Sequence, residues 1–469
     1  MGKNIIMISI DCLRADCIGA FPNKILLKKY GIDLSILKTP TLNELAKQGC
    51  FFTNCFTAST YTTASHASIL TGFYPINNGV QEYFKNKIDK KTIFEIIKKN
   101  NKDYFTLFCT DFPFILGRHL GFDRKIDYYS DGDEKKSIKM LKKNKSRRFL
   151  AFFHFGNVHA PYGISGIKED GNKFINKVNK LIKEYGIDLE HNADIEWFEK
   201  DRSAKEISLR KAYHQAIEKA YSAEEYSKLM SMYIDGVSYF DKNRFRNFIR
   251  LLKKSGVFKD SILFIFSDHG ERWWNDSHGH HDNLYDDTIR VPLIIIGEGF
   301  PKNKIIDAQI RTIDIAPTIA HLLKIKNINS FDGKSLLPLE KIKPSFAMGE
   351  IWTCKDINNI KSLMQKVQKR GKMIQSDRHA YNGFLWKEYI RAEKYKLINE
   401  YEGSRKNIMM LGIVNGLEKR IVAKKSILDK MEKELLKYKK LGKIRKNIIS
   451  KPDEIKQIRK NLVSLGYNV

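Results

Sequence analysis

The stretch Ser261-Ile262-Leu263-Phe264-Ile265-Phe266-Ser267-Asp268-His269-Gly270-Glu271 decides how the rest of the chain is read. Its first half is short, aromatic and β-branched, which predicts a buried strand of a parallel sheet. Its second half turns polar where that strand should end. In open α/β sheets, ligands collect at the carboxyl ends of the strands, so Asp268 and His269 fall where chemistry is expected. An adjacent carboxylate and imidazole, followed by His278, His280 and His281, have the donor chemistry of a metal-binding set. A solvated loop after a core strand would look the same over so short a span. The rest of the chain has to supply the difference.

With 469 residues, 42% hydrophobic and 12% aromatic, the chain can bury a large α/β core with a smaller appendage. Lys and Arg number 83 against 54 Asp and Glu, a formal charge of +29, which suits an anionic substrate or partner. Zinc-finger spacings and aromatic RNA-binding signatures are absent, so no specific nucleic-acid partner is expected. The six cysteines, Cys12, Cys17, Cys50, Cys55, Cys109 and Cys354, form no CxxC pair. They read as reduced thiols of a cytoplasmic protein. The opening run Ile5–Ile10 is too short for a membrane span and lacks a small-residue cleavage site, and no later window suits a transmembrane segment.

Outward from the central stretch, the same pattern recurs. Ile5–Ile10 predicts the first strand, with Asp11 at its carboxyl end. Thr39–Gly49 has a capping residue, a first-turn Pro and a closing Gly, and so reads as a helix. Cys50–Thr57 is a short strand, followed by the polar run Ser59–His66 leading into Ala67–Gly72. Phe149–Phe155 is another buried strand, ending before Asn157-Val158-His159-Ala160-Pro161-Tyr162. Residues 163–226 are charged and helical, an insertion. Tyr233–Lys253 predicts one amphipathic helix, Val291–Ile296 a further buried strand, and Thr312–Leu323 a helix. Tyr389–Arg391 and Tyr395–Ile398 look like an antiparallel hairpin, and from Leu417 the chain reads as basic and helical.

Taken in order, these segments resemble the sulfatase family of the alkaline phosphatase superfamily. Ile10–Asp16 is similar to the family's first metal-binding strand end, and Thr62–Gly72 to its nucleophile loop and following helix. His159–Tyr162 looks like a substrate-binding loop, and Ser267–Glu271 like the second metal-binding strand end. Tyr285–Leu293, Asp314–Thr318, Asp332–Leu336 and Leu465–Tyr467 are further landmarks. The resemblance implies a three-layer α/β sandwich with a mainly parallel central sheet over 1–340 and a smaller C-terminal α+β subdomain over 341–469. Usual members carry Cys or Ser in a C/S-x-P-x-R loop that is oxidised to formylglycine. Here the aligned residues are Thr62, Ala64 and His66, and no formylglycine is expected. The family's second N-terminal aspartate is replaced by Cys12, which predicts a leaner metal site.

The resemblance therefore implies a metal-dependent hydrolase of sulfuric or phosphoric esters. A hydroxyl needs a base or a metal to act as nucleophile, and Thr62 before a helix start would also gain the dipole. One divalent ion (Zn, Mn, Mg or Ca) is expected on Asp11, Asp268, His269 and Thr62, with room left for a second. Ser65 is the reserve nucleophile. His159, His66 and Arg14 are candidate catalytic groups on the non-bridging oxygens; His159, His281 and His280 are candidate substrate ligands. Sulfate release through a formylglycine hemiacetal is closed to Thr62, which favours phosphoesters and a covalent intermediate. The substrate is expected to be a sulfated or phosphorylated glycan, lipid or small molecule, its alcohol recognised by the insertion and the C-terminal part. Two rival readings are a phospho-group transferase acting on a glycan or lipid alcohol, and a non-catalytic binder of acidic polymers.

Overall fold

The computed structural model describes residues 3–81, 87–113, 115–163, 167–188, 204–280, 282–325, 331–353, 384–402 and 405–441. Its centre is a nine-stranded sheet in the order β10-β2-β9-β6-β1-β5-β3-β4, with β11 paired to β2. The strands are β1 (Asn4–Ile10), β2 (Cys50–Phe56), β3 (Phe105–Thr110), β4 (Tyr128–Asp131), β5 (Phe149–Phe155), β6 (Ser261–Phe266), β9 (Arg290–Ile296), β10 (Lys304–Ile306) and β11 (Ile310–Arg311), while β7 (Arg272–Trp274) and β8 (Ser277–Gly279) pair as a separate hairpin. β1 lies between β5 and β6 and is parallel to both. Among the described strands of this sheet, only β9 runs antiparallel to its neighbours, β2 and β6.

The alternation expected of a two-sided strand is visible in β1. Ile6, Ile8 and Ile10 join one apolar core, whereas Ile5 and Met7 join the other. Helices cover both faces, giving three layers. One core takes Leu42 and Leu45 from helix Pro40–Lys47, together with Phe248 and Leu252 from helix Arg246–Ser255. The other takes Ala64 and Ala67 from helix Thr62–Thr71 and Ile315 and Ile319 from helix Ile315–Leu322. The insertion contributes helices Ile167–Tyr185 and Ala204–Ser222. The expected single helix Tyr233–Lys253 starts earlier, at Tyr226, and is interrupted by a π-turn at Asp241–Phe245. Asp241 sits in that turn and accepts the Thr41 and Leu42 amides at 2.9 and 2.8 Å, which ties the helix to a neighbour's first turn. No helix among the described residues is long and apolar enough to cross a membrane.

A second, antiparallel sheet of five strands follows: β12 (Ala347–Thr353), β13 (Phe384–Arg391), β14 (Tyr395–Glu402), β15 (Arg405–Val414) and β16 (Leu417–Arg420). The expected hairpin is β13–β14, and the basic helix after Leu417 is preceded by β16 and runs over Lys425–Leu441. This sheet braces the loop that leads to Thr62. Glu350 N donates to Ala58 O at 3.1 Å, and the Tyr389 hydroxyl donates to Thr57 O. A Cβ on Gly349 would lie 2.6 Å from Ala58 O, so only glycine permits the approach.

Glu350 and Glu388 face one another across β12 and β13, both buried. Burial, reinforced by the Glu388 charge, pushes the Glu350 carboxyl up to about 7. The folded-state value lies above the unfolded one, so this group's contribution to stability is complete below the unfolded pKa and is lost as pH rises through about 7. Glu350→Gln should therefore lose less stability than wild type between about pH 5 and about pH 8, by up to about 3 kcal/mol. Equal losses in denaturant titrations of the two proteins would refute the assignment.

Candidate active site

The carboxyl ends of β1 and β6 deliver Asp11, Asp268 and His269 to one place because the two strands are paired in register, Ser9 opposite Phe266. Helix Thr62–Thr71 begins beside them. Asp11, Asp268 and His269 are fully buried and Thr62 nearly so. Thr62 Oγ1 lies 3.3 Å from His269 Nε2 and 3.4 Å from Asp11 Oδ2. His269 Nε2 in turn lies 3.3 Å from Asp268 Oδ2 and 3.8 Å from Asp11 Oδ1. Gly270 keeps this strand end close to the neighbouring loop: its amide donates to Thr288 O at 2.7 Å, and a Cβ there would lie 2.1 Å from Asp287 O.

The hydrogen bonds leave a specific gap. Asp268 Oδ1 accepts from the amides of Cys12 (3.2 Å) and His269 (2.9 Å). Asp11 Oδ2 accepts from His154 Nε2 at 3.0 Å. Asp268 Oδ2 and Asp11 Oδ1 have no hydrogen-bond partner, although both are buried. A buried carboxylate oxygen without a partner costs several times an ordinary hydrogen bond. His269 Nδ1 faces the Gly270 carbonyl at 3.1 Å and so carries the proton, leaving the Nε2 lone pair on the cluster side. Two orphaned oxygens, one imidazole nitrogen and one hydroxyl are the donor set of a divalent cation, and the residues fit one.

The electrostatics agree. Burial alone would raise the Asp11 carboxyl, but the His154 hydrogen bond and the nearby His269 hold it well below the usual carboxylate range. Burial would likewise lower His269, yet Asp268 and Asp11 outweigh it and raise the imidazole. Among the described residues, no Lys or Arg side chain pairs with the carboxylates of Asp11, Asp268 or Glu271; their ion-pair partners are histidines.

The remaining expected residues divide. His159 and His280 lie together beside this cluster, their ring centroids 5.4 Å apart, and the His280 ring stacks on His269 at 4.2 Å. His278 pairs instead with Glu218 at 3.0 Å, away in the insertion. His281 lies outside the described residues. His66 is committed on both ring nitrogens, to Thr62 O (2.7 Å) and Ser9 Oγ (2.8 Å), and burial pushes it down to about 4. Both contacts tie it to the protein frame, one of them to the first turn of the Thr62 helix. The Arg14 guanidinium is buried and bound to Asp16 (2.7 Å) and Asp287 (3.4 Å). The reserve nucleophile Ser65 donates to Asp268 O at 2.9 Å and supports the cluster from behind.

Three residues that the sequence reading did not assign to the site belong to it by position. His154, on β5, orients Asp11; its only cue is one polar residue inside the run Phe149-Leu150-Ala151-Phe152-Phe153-His154-Phe155. Cys12 and Glu271 reach His280, with Sγ 3.7 Å and Oε1 3.2 Å from Nδ1.

A family model described as Sulfatase matches residues 3–325. Over 117 residues the chain is 30% identical to an arylsulfatase K of Gallus gallus, covering 23% of this chain and 22% of that protein. Over 364 residues it is 25% identical to an ulvan-active sulfatase of Formosa agariphila, covering 72% of this chain and 65% of that one. The matches thus span less than two thirds of either relative's length. A structure from work on glycosaminoglycan metabolism by Bacteroides thetaiotaomicron superposes with a TM-score of 0.65 at 15% identity, covering 99% of this chain and 100% of that one. The phosphonate monoester hydrolase of Agrobacterium radiobacter does so with 0.62 at 15% identity, covering 96% of this chain and 100% of that one. These likenesses show the fold. The family match, running from β1 through the helix Ile315–Leu322, establishes that the chain belongs to the sulfatase family.

Proposed function

We propose that the protein is a metal-dependent hydrolase of phosphoric and sulfuric esters that prefers phosphoesters, with Thr62 as the nucleophile. The observation that carries this reading is the Thr62 hydroxyl, at the first turn of its helix and 3.4 Å from Asp11 Oδ2. A divalent ion on Asp11, Asp268, His269 and Thr62 would supply a Lewis acid that lowers the hydroxyl pKa and polarises the ester oxygen. Asp11 Oδ2 is the nearest carboxylate oxygen to take the Thr62 proton, and His154 fixes that oxygen at 3.0 Å. The helix start favours the negative charge that develops on the transferred group. Attack forms the Thr62 Oγ1–phosphorus bond and breaks the ester bond to the departing alcohol; water then cleaves the phosphothreonine. The threonine methyl excludes the aldehyde route through which a formylglycine releases sulfate, and this supports phosphorus over sulfur. Among similar folds are the phosphonate monoester hydrolase and a protein solved in complex with its substrate D-glucosamine-2-N,6-O-disulfate. An anionic ester of a glycan, lipid or small molecule fits both, as does the excess of Lys and Arg.

A panel of aryl sulfate, phosphate monoester, phosphate diester and phosphonate, each with Mg, Mn, Ca and Zn, tests the reading. Phosphorus esters should turn over faster than the sulfate, with label from isotopic water appearing in the released phosphate. Faster cleavage of the aryl sulfate would overturn the phosphoester preference. Transfer of the head group to an added alcohol without label would instead favour a transferase.

A further inference from the structure

A second set of metal-type donors adjoins the Asp11–Asp268–His269 cluster. One ligand atom each from Cys12, His159 and His280 lies within 4.8 Å of the others, and the trio Asp11, Cys12 and His269 has the same property. Cys12 belongs to both trios, and all five residues are buried. Its backbone adopts φ 59, a left-handed conformation that non-glycine residues adopt rarely and that clusters at functional sites. With that turn, Sγ comes against the His280 ring, on whose Nδ1 Glu271 also lies.

The histidines carry the outer partners that ligated imidazoles carry. His159 Nδ1 faces the Ala160 carbonyl at 2.9 Å. His280 Nδ1 faces Glu271 Oε1 at 3.2 Å, while the Tyr162 hydroxyl donates to Glu271 Oε2 (3.4 Å) and accepts from Trp273 Nε1 (3.0 Å). A carboxylate or carbonyl on Nδ1 fixes the tautomer in which Nε2 is the ligating nitrogen. Charge gives an independent reason. Asp11, Asp268 and Glu271 bring three carboxylates, and no Lys or Arg among the described residues pairs with them. With a Cys12 thiolate added, a single divalent ion would leave this pocket net negative, hostile to an anionic ester; a second would neutralise it.

We propose that Cys12, His159 and His280 form a second metal site of the zinc class, with Cys12 shared between two cations that hold the anionic ester from both sides. A thiolate and two imidazoles select zinc over magnesium or calcium, and three protein ligands leave a position for substrate. The inference rests on the reading of Asp11, Asp268 and His269 as the first cation site.

The test counts metal in the full chain after zinc loading and dialysis, and records absorption after reconstitution with cobalt(II). Wild type should hold about two ions per chain and show a sulfur-to-cobalt charge-transfer band in the near ultraviolet. Cys12→Ser should lose the band and about one ion; His159→Ala and His280→Ala should each lose one ion. Glu271→Gln should keep both sites but weaken the second about 10- to 100-fold in competition with a chelating dye. Wild type with one ion and no sulfur band would overturn the second site and leave the first standing. Asp268→Asn with its metal complement intact would instead remove the first. Circular dichroism checks that each variant is folded, and the wild-type band decides the thiolate's role even if a variant is not.

Discussion

Thr62→Ala should lower kcat on the preferred ester by about 10⁴-fold, the scale seen when a catalytic nucleophile is removed, whereas Thr62→Ser should recover most of it. The contrast separates chemistry from architecture. Thr62 is the first residue of its helix, and no side chain caps that end, so the Thr62 hydroxyl does not hold the helix together. Alanine there should fold. Serine keeps the hydroxyl beside Asp11 and His269 and loses one methyl, a packing loss of about 1 kcal/mol. Quenching a turnover mixture in acid should trap a phosphothreonine on the peptide carrying residue 62 in wild type, a phosphoserine in Thr62→Ser, and neither in Thr62→Ala. Ser65 cannot replace it in place, because its hydroxyl is engaged with Asp268 O and Thr57 Oγ1, each at 2.9 Å. An alanine variant with wild-type kcat would end the nucleophile assignment and leave water as the attacking group.

How much of this was legible beforehand follows from what each signal depends on. Asp11 and Asp268 could be found because each ends an apolar run, and strand ends in parallel sheets are where polar residues become ligands. That they come level depends on β1 pairing with β6, which the written order of the chain does not reveal. His154 needs one more pairing, Ser9 opposite His154, before it can face Asp11. Cys12 carries no signal of its own: as a replacement for an acidic ligand it reads as a lost donor, and only the fold brings its sulfur to 3.7 Å from His280 Nδ1. Arg14 looked like an anion clamp because it lies near Asp11 in sequence. Its actual partners, Asp16 and Asp287, were both visible, but only the fold puts Asp287 within reach. The direction of β9 was unreadable, since a fully buried apolar run has no polarity. From sequence β16 reads as helix because Leu417-Glu418-Lys419-Arg420 is a charged edge strand without the alternation that marks a half-buried one.

Asp268→Asn should show opposite effects with and without metal, and that inversion is diagnostic. Asparagine has the same shape, and its side-chain oxygen can still accept from the Cys12 and His269 amides that now bind Oδ1. What it removes is the charge on Oδ2, a buried oxygen without a hydrogen-bond partner that faces Asp11, another acid, across His269. In the metal-free protein that charge is a liability, so the variant should be more stable than wild type by about 1–3 kcal/mol. With magnesium, which suits the carboxylates and not the Cys12–His159–His280 set, at about 100–1,000 times its dissociation constant, wild type should gain about 3–4 kcal/mol, and the variant little or nothing. The order of the two melting temperatures should therefore reverse on addition of metal, and kcat of the variant should fall by at least about 10³-fold. A variant less stable than wild type without metal, and stabilised equally by it, would mean that Asp268 Oδ2 serves the fold and not a cation.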